Sequence, residues 1–504
     1  MSTSPPTTAV NPSGTPSIAS AIEKLRDFPD RLSPIVVKEL RQGLRQPSFV
    51  ILFLFLQGVL AMVVAGALFG ASGTNLEARL GMGGMISGFF FGLFSLAVLL
   101  VQPLRGLNAL ASETRGGTID LLLLTRLDAW RITFGKWLSL TTQSALLLVA
   151  MLPYLMMRYF LGGMQLFDEV LWLLLLFFLG TVVCAGAVGL SSIRSLIIRG
   201  VVAVIVALGF LIVPQFVVLL FAFGGTGVLM GASGWWNLGL TPLQSAAGIG
   251  GILLGLTFLA YACLEFGATR IAPPAENRSA RKRLISLGAL IVIPGLFLLT
   301  GSDARILSVA AIALIGSLAI ADALSESPYF TSPSRHRLLH PFLPGWPSGA
   351  IFGSLLTLIA MGLVIFSASL IGINDSFVPL GVVAISFLIV TQPALIVAIF
   401  RSQERQPATA YIAILLGSCA IGLVIFMVAA AAGGEELFAT LAIPAFPVVG
   451  FFAFAVDDYP DLAVITAASF LVLYLVVIAM IGRARWPQPN ASLPANASTD
   501  PPGK

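Results

Sequence analysis

The amino-acid sequence predicts an all-α polytopic membrane protein with about twelve transmembrane helices, and three observations predict it. Hydrophobic residues make up 57% of the 504 and charged residues only 10%, where soluble domains carry about a quarter. The mean hydropathy is +0.97. Apolar runs of about 20 residues, the length that crosses a bilayer as a helix, recur along the chain between short connections that hold most of its Lys and Arg. The net charge of +5 follows from where those bases stand relative to a membrane, and no nucleic acid is needed to explain it.

Residues 1–30 are rich in Ser, Thr and Pro and hold no apolar run of signal-peptide length, which predicts a disordered cytosolic leader with a short helix around Ala21 to Phe28. Ser33-Pro34 then offers an N-cap followed by proline at the first helical position. The helix after it, Ile35 to Gln46, puts Lys38, Arg41 and Arg45 on one side and Val37, Leu40 and Leu44 on the next. That pattern is a basic, amphipathic helix lying at the membrane surface. Spans are expected at about 48–70, 83–102, 137–157, 170–193, 200–223 and 245–266, so that 31–270 forms one six-span unit. The uncharged connection 224–244, with Trp235 and Trp236, reads as short helices at or dipping into the outer interface.

A basic cytosolic linker, 271–283, comes next, with Pro273, Pro274, Arg278, Arg281, Lys282 and Arg283. A second six-span bundle is expected over 284–482, with spans at about 284–300, 306–323, 349–371, 377–400, 410–432 and 462–482. The stretch 437–456 is apolar enough to span, but Pro444 and Pro447 interrupt it and Asp457, Asp458 and Asp461 close it. Charge decides its place. With twelve spans and 437–456 left outside as a re-entrant or interfacial hairpin, all of the 28 Lys and Arg residues but Arg79, Arg158 and Arg305 fall in the cytosol. A thirteenth span would move Arg483 and Arg485 outside. The expectation is a multi-pass plasma (inner) membrane protein with both termini cytosolic, ending in a disordered tail, 483–504.

One cytosolic stretch, Glu113 to Lys136, carries charges that its apolar neighbours lack. Gly116 and Gly117 end the preceding helix. Thr118 can cap a short new one, with Asp120 in its first turn. Leu121, Leu122, Leu123 and Leu124 are too few to span, so they lie on the membrane or dock into something. Asp128 is a second cap, opening the helix that runs through Trp130 and Lys136 into the next span. This stretch resembles the signature of membrane subunits of type-2 ABC exporters, at Glu113, Gly117, Thr118, Asp120, Leu121, Leu122, Thr125, Gly135 and Lys136. Arg126 stands where that family usually has proline. The entry helix of the same family is similar to Pro34, Lys38, Glu39, Leu40, Arg41 and Arg45. The resemblance implies a permease in which Glu113, Arg115 and the helix Thr118 to Thr125 receive a separate ABC ATPase. ATP is then bound by that partner, and this chain carries no cofactor and no catalytic residue of its own.

The chain's gaps agree with this expectation. No Gly-x-x-x-x-Gly-Lys-Ser/Thr phosphate loop occurs, and no soluble segment is large enough for a nucleotide-binding domain. The span interiors hold essentially no ionisable residue, Glu265 and Asp322 standing at span ends. Ion- or proton-driven transporters usually keep one there, despite a cost of at least about 2.5 kcal/mol. The neutral Gln57, Gln143, Gln215 and Gln392 suit helix–helix hydrogen bonds. Cys184, Cys263 and Cys419 share no metal-ligand spacing, and His336 and His340 have no third ligand. A twelve-span secondary transporter is the alternative reading, but it calls for a charged midplane site. A membrane-embedded transferase needs an acidic outer loop, and the first outer loop offers only Glu77. Two arrangements stay open: one chain as a whole pore, or a six-span accessory bundle beside a pore completed by a second copy or a second permease.

Overall fold

The computed structural model describes residues 34–71, 88–111, 113, 128–161, 166–193, 195–204, 242–272, 278–300, 306–326, 337–371, 377–400, 407–431, 442–450 and 460–484. Among them the ordered elements are helices, with no strand. They are α1 (Pro34–Leu44), α2 (Pro47–Ala71), α3 (Gly88–Gly106), α4 (Ala129–Leu161), α5 (Leu166–Leu190), α6 (Pro242–Ile271), α7 (Ser279–Leu298), α8 (Ile306–Leu324), α9 (Trp346–Ile371), α10 (Phe377–Phe400), α11 (Pro407–Ala431) and α12 (Pro460–Ala484). A further helical stretch covers 196–204. Five helices, α1, α2, α6, α11 and α12, open on proline, whose fixed φ suits the first helical position and whose missing N–H would have no partner there anyway.

Among the described residues ten helices are long and apolar enough to cross a membrane, so the chain is an all-α, multi-pass membrane protein. The expected span at 200–223 lies mostly outside the described residues. The one at 284–300 falls on α7, whose first turn carries Arg281, Lys282 and Arg283. Its uncharged run, 284–298, is about 15 residues, or roughly 22 Å of helix, short of the ~30 Å hydrocarbon core. The ten apolar helices expose Val, Leu, Ile, Phe and Met side chains along their outer faces, as lipid-facing surfaces do.

Two apolar clusters fill the first half. Leu56, Leu60, Phe90, Phe94, Leu147 and Met151 join α2, α3 and α4, and Leu110, Ile132, Ala185, Val188 and Leu264 join α4, α5 and α6. A third cluster, centred on Ile320, Phe352, Leu356, Phe387 and Leu475, holds α8, α9, α10 and α12 together. Through Leu290, Ile293 and Phe258 it reaches α7 and α6.

The start of α4, the ends of α3, α5, α6 and α8, and the starts of α7 and α9 meet at one end of the molecule, the basal end. Leu110 N–H donates to Ser191 Oγ there, at 3.1 Å, and Arg270 donates to the Ser325 carbonyl at 3.0 Å. Gly482 of α12 packs on Trp346 and Pro347, so α12 also ends at the basal end. Because α11 leaves that end, the chain between α11 and α12 departs from and returns to the opposite one. Its described part, 442–450, holds turns and a short 3₁₀ turn, Pro447–Val449, and no spanning helix. Gln392 Nε2 donates to the Ala445 carbonyl at 2.6 Å and Tyr474 Oη to the Pro444 carbonyl at 2.8 Å. Gln392 stands about 22 Å along α10 from Phe377, by the helical rise. The turn therefore penetrates deeply, and the bundle's own side chains satisfy its carbonyls, as irregular backbone at membrane depth requires.

Candidate functional site

Arg115, Gly117, Thr118, Asp120, Leu121, Leu122 and Thr125, the centre of the expected ATPase-coupling stretch, lie outside the described residues, as do 1–33, 205–241, His336, Asp457, Asp458 and 485–504. The two residues that flank the stretch are described, and both sit in ion pairs.

On the upstream side, Lys136 Nζ lies 2.8 Å from Glu113 Oε1 and 3.3 Å from Glu39 Oε1. The Lys136 side chain is 8% exposed, so the ammonium is nearly out of water and needs both carboxylates. Ser139 Oγ also donates to the Glu39 carbonyl, at 3.0 Å. Gly43 lets α1 approach this closely, because a Cβ there would fall on the Gln143 amide. Three residues from two separate motifs, Glu39 of the expected entry helix and Glu113 and Lys136 of the expected coupling stretch, thus share one contact.

Arg105 stands beside this triad. Its Nη1 donates to Gln102 Oε1 at 2.7 Å and Gln143 Oε1 at 2.5 Å, and its Nη2 to Gln46 Oε1 at 2.8 Å. No sequence pattern announces this cluster, since Arg105 lies beyond an apolar run expected to end at 102. α3 in fact contains a π turn, Leu96–Val101, in which the Gln102 N–H reaches back to the Ala97 carbonyl. The extra residue in that turn redirects the last turn of the helix, and α3 continues through Arg105 to Gly106.

Downstream, Asp128 Oδ1 accepts the Trp130 N–H at 3.2 Å and so caps α4. The same oxygen lies 2.6 Å from Arg278 Nη1, and Arg278 Nε lies 2.8 Å from Glu265 Oε1. Glu265 is 1% exposed and Asp128 41%. Burial works against the Arg278 charge, but the hydrogen bond and charge of Glu265, with Asp128, outweigh it and raise the guanidinium's pKa.

Next to Arg278, Glu326 gathers four donors. Ser279 Oγ and Lys282 Nζ approach its Oε1 at 2.8 and 2.7 Å, and Arg283 Nη2 and the Gly345 N–H approach Oε2, each at 2.8 Å. Lys282 also reaches Asp322 Oδ2 at 2.8 Å. Arg283 donates onward to the Pro341 and Leu343 carbonyls and to Ser348 Oγ, which folds the chain before α9 around its guanidinium. Gly345 makes that turn at φ 104°, a left-handed conformation that favours glycine. Burial alone would push the Glu326 carboxyl up. The Lys282 and Arg283 charges outweigh it and hold the carboxyl at about 2.

The residues expected to form a basic linker, Arg278, Lys282 and Arg283, are therefore buried, while Arg281 faces outward. Of the entry-helix set, Lys38, Arg41 and Arg45 are exposed and Glu39 and Leu40 half-buried. No group of three or more His, Cys, Asp or Glu residues suited to a metal occurs among the described residues. The three cysteines are unbridged. The chain matches no family model, no curated protein and no solved structure.

Proposed function

We propose that this chain is the permease subunit of an ATP-driven exporter of the type-2 ABC kind, with ATP hydrolysed by a separate ATPase. In this reading the chain has twelve spans in the plasma (inner) membrane and both termini in the cytosol, and the basal end is the cytosolic one. The substrate crosses the bilayer when the ATPase dimer closes and pushes on Thr118 to Thr125.

The observation that carries the reading is the double anchorage of that stretch. Glu113 at its upstream flank is paired with Lys136, and Asp128 at its downstream flank with Arg278. A surface helix meant only to lie on lipid needs no such ties. A helix that transmits a push needs both ends fixed to rigid spans, since otherwise the displacement is spent in slack connections. Glu39 brings α1 into the same joint, so the entry helix and the coupling stretch move with α4.

Leu122→Asp tests this. An unpaired charge buried against a docked partner is costly, whereas on an interfacial helix it is not. The expected result is normal membrane insertion with loss of both ATPase copurification and transport. Normal insertion with full partner binding overturns the reading.

A further inference from the structure

We propose that the outer face of α1 and the lipid-facing side of α2 together form a site for one anionic phospholipid, with its phosphate on α1 and its acyl chains along α2. A groove of about 700 Å³ is lined by Val37, Lys38, Arg41, Gln42, Arg45 and Gln46 and closed by Pro47. Positions 38, 41, 42 and 45 are spaced by three and four and so share one helical face, and all four side chains are exposed. The only acid of α1, Glu39, turns the other way onto Lys136. Among the described residues that line it, the groove presents bases and amides and no carboxylate, which is the chemistry that receives a phosphodiester. Gln46 at its edge accepts from the Arg105 guanidinium, which adds positive potential from behind.

The acyl half of the site begins at the residue that closes the groove. Counting from Pro47 by threes and fours gives Val50, Ile51, Leu54, Phe55 and then Met62, every one exposed. They form an apolar stripe about 22 Å long by the helical rise, more than enough to run the length of the ~15 Å acyl region of one leaflet. A phosphate site directly beneath such a stripe matches a phospholipid end to end, whereas a soluble anion would use only the groove.

The test is lipid binding to the purified full-length chain, titrated with dioleoyl-phosphatidylglycerol or dioleoyl-phosphatidylcholine in detergent and read by native mass spectrometry. One tight phosphatidylglycerol site is expected, with weaker binding of phosphatidylcholine. K38Q/R45Q should weaken that site roughly fivefold for each charge removed. The control R281Q/R483Q removes as many exposed charges elsewhere and should leave it unchanged. Glycerol 3-phosphate, which has the headgroup chemistry without chains, should not compete. Equal affinity for the two lipids, equal weakening in the control, or full competition by glycerol 3-phosphate would each overturn the proposal. So would a K38Q/R45Q protein that keeps its lipid but loses a copurifying protein partner, since the groove would then be a protein-docking surface.

Discussion

Arg278 Nη1 lies 2.6 Å from Asp128 Oδ1 across 150 residues of sequence, and this contact ties the first turn of α4 to the start of α7. The same guanidinium holds Glu265 at the end of α6. One side chain therefore links the start of α4, the last helix of the first half and the first helix of the second. In the proposed reading, a displacement delivered at Asp128 would reach the second bundle through this ion pair.

The two carboxylates on Arg278 should respond differently to mutation. Arg278→Gln leaves Glu265 charged and 1% exposed, and removing one partner of a buried ion pair costs about 3–5 kcal/mol. Asp128→Asn alters a group 41% exposed, where such pairs are worth at most about 1 kcal/mol. Thermal unfolding in detergent should show a large fall for the first variant and a small one for the second. Similar falls for both would mean that Asp128 is far more shielded than its exposure indicates.

Glu326 carries a pH dependence of defined sign. Its carboxyl is held at about 2 in the folded chain against 4.5 as its ordinary value. A carboxylate depressed by folding stabilises above its unfolded pKa, and the contribution fades as pH falls through the folded one. Glu326→Gln should therefore be less stable than the parent at neutral pH by about 3–5 kcal/mol, because Lys282 and Arg283 stay buried. The gap should hold down to about pH 4.5 and narrow below it. A gap that already closes between about pH 7 and 5 would contradict a depressed pKa.

The turn at 442–450 makes a topological prediction. A single cysteine at Asp458 should be labelled from outside intact cells, and cysteines at Thr118 and Pro487 only from the cytosol. The twelve-span arrangement requires all three together. Labelling of Asp458→Cys from the cytosol alone would demand a thirteenth span, against the turns that the structure has at Pro444 and Pro447.

Ten of the expected spans and the cap at Asp128 were legible in the sequence because each depends on residues close in the chain. Asp128 was readable as a cap from its place before Trp130, and the apolar runs announced their helices by length. Gln143 was readable as a helix–helix contact in kind, though not in partner, whereas Gln392 holds the turn at Ala445 instead of a second helix. Arg278, Lys282 and Arg283 were not legible. A run of bases between spans reads as solvated, and its burial depends on acids such as Glu265 and Glu326 that lie 13 to 44 residues away. The four-residue spacing of Asp322 and Glu326, which sets both carboxylates on one face for Lys282, was the available hint. Arg105 was hidden by the π turn in α3, which leaves no composition signal.

Lys136 offers the sharpest separation between a structural brace and a coupling joint. Lys136→Gln removes the cation between Glu39 and Glu113, an ion-pair loss expected to cost about 1–3 kcal/mol. In the proposed reading the ATPase docks on Thr118 to Thr125, away from Lys136, so the variant should still copurify its partner and still hydrolyse ATP. What should fail is the transfer of motion to α1 and α4, seen as ATP hydrolysis without transport. Lys136→Arg keeps the charge and should recover part of the transport. Glu113→Gln combined with Lys136→Gln should be no worse than Lys136→Gln alone, because residues sharing one interaction are non-additive. A Lys136→Gln protein that transports at the parent's rate would leave the triad as a brace, with the push reaching the spans by another route.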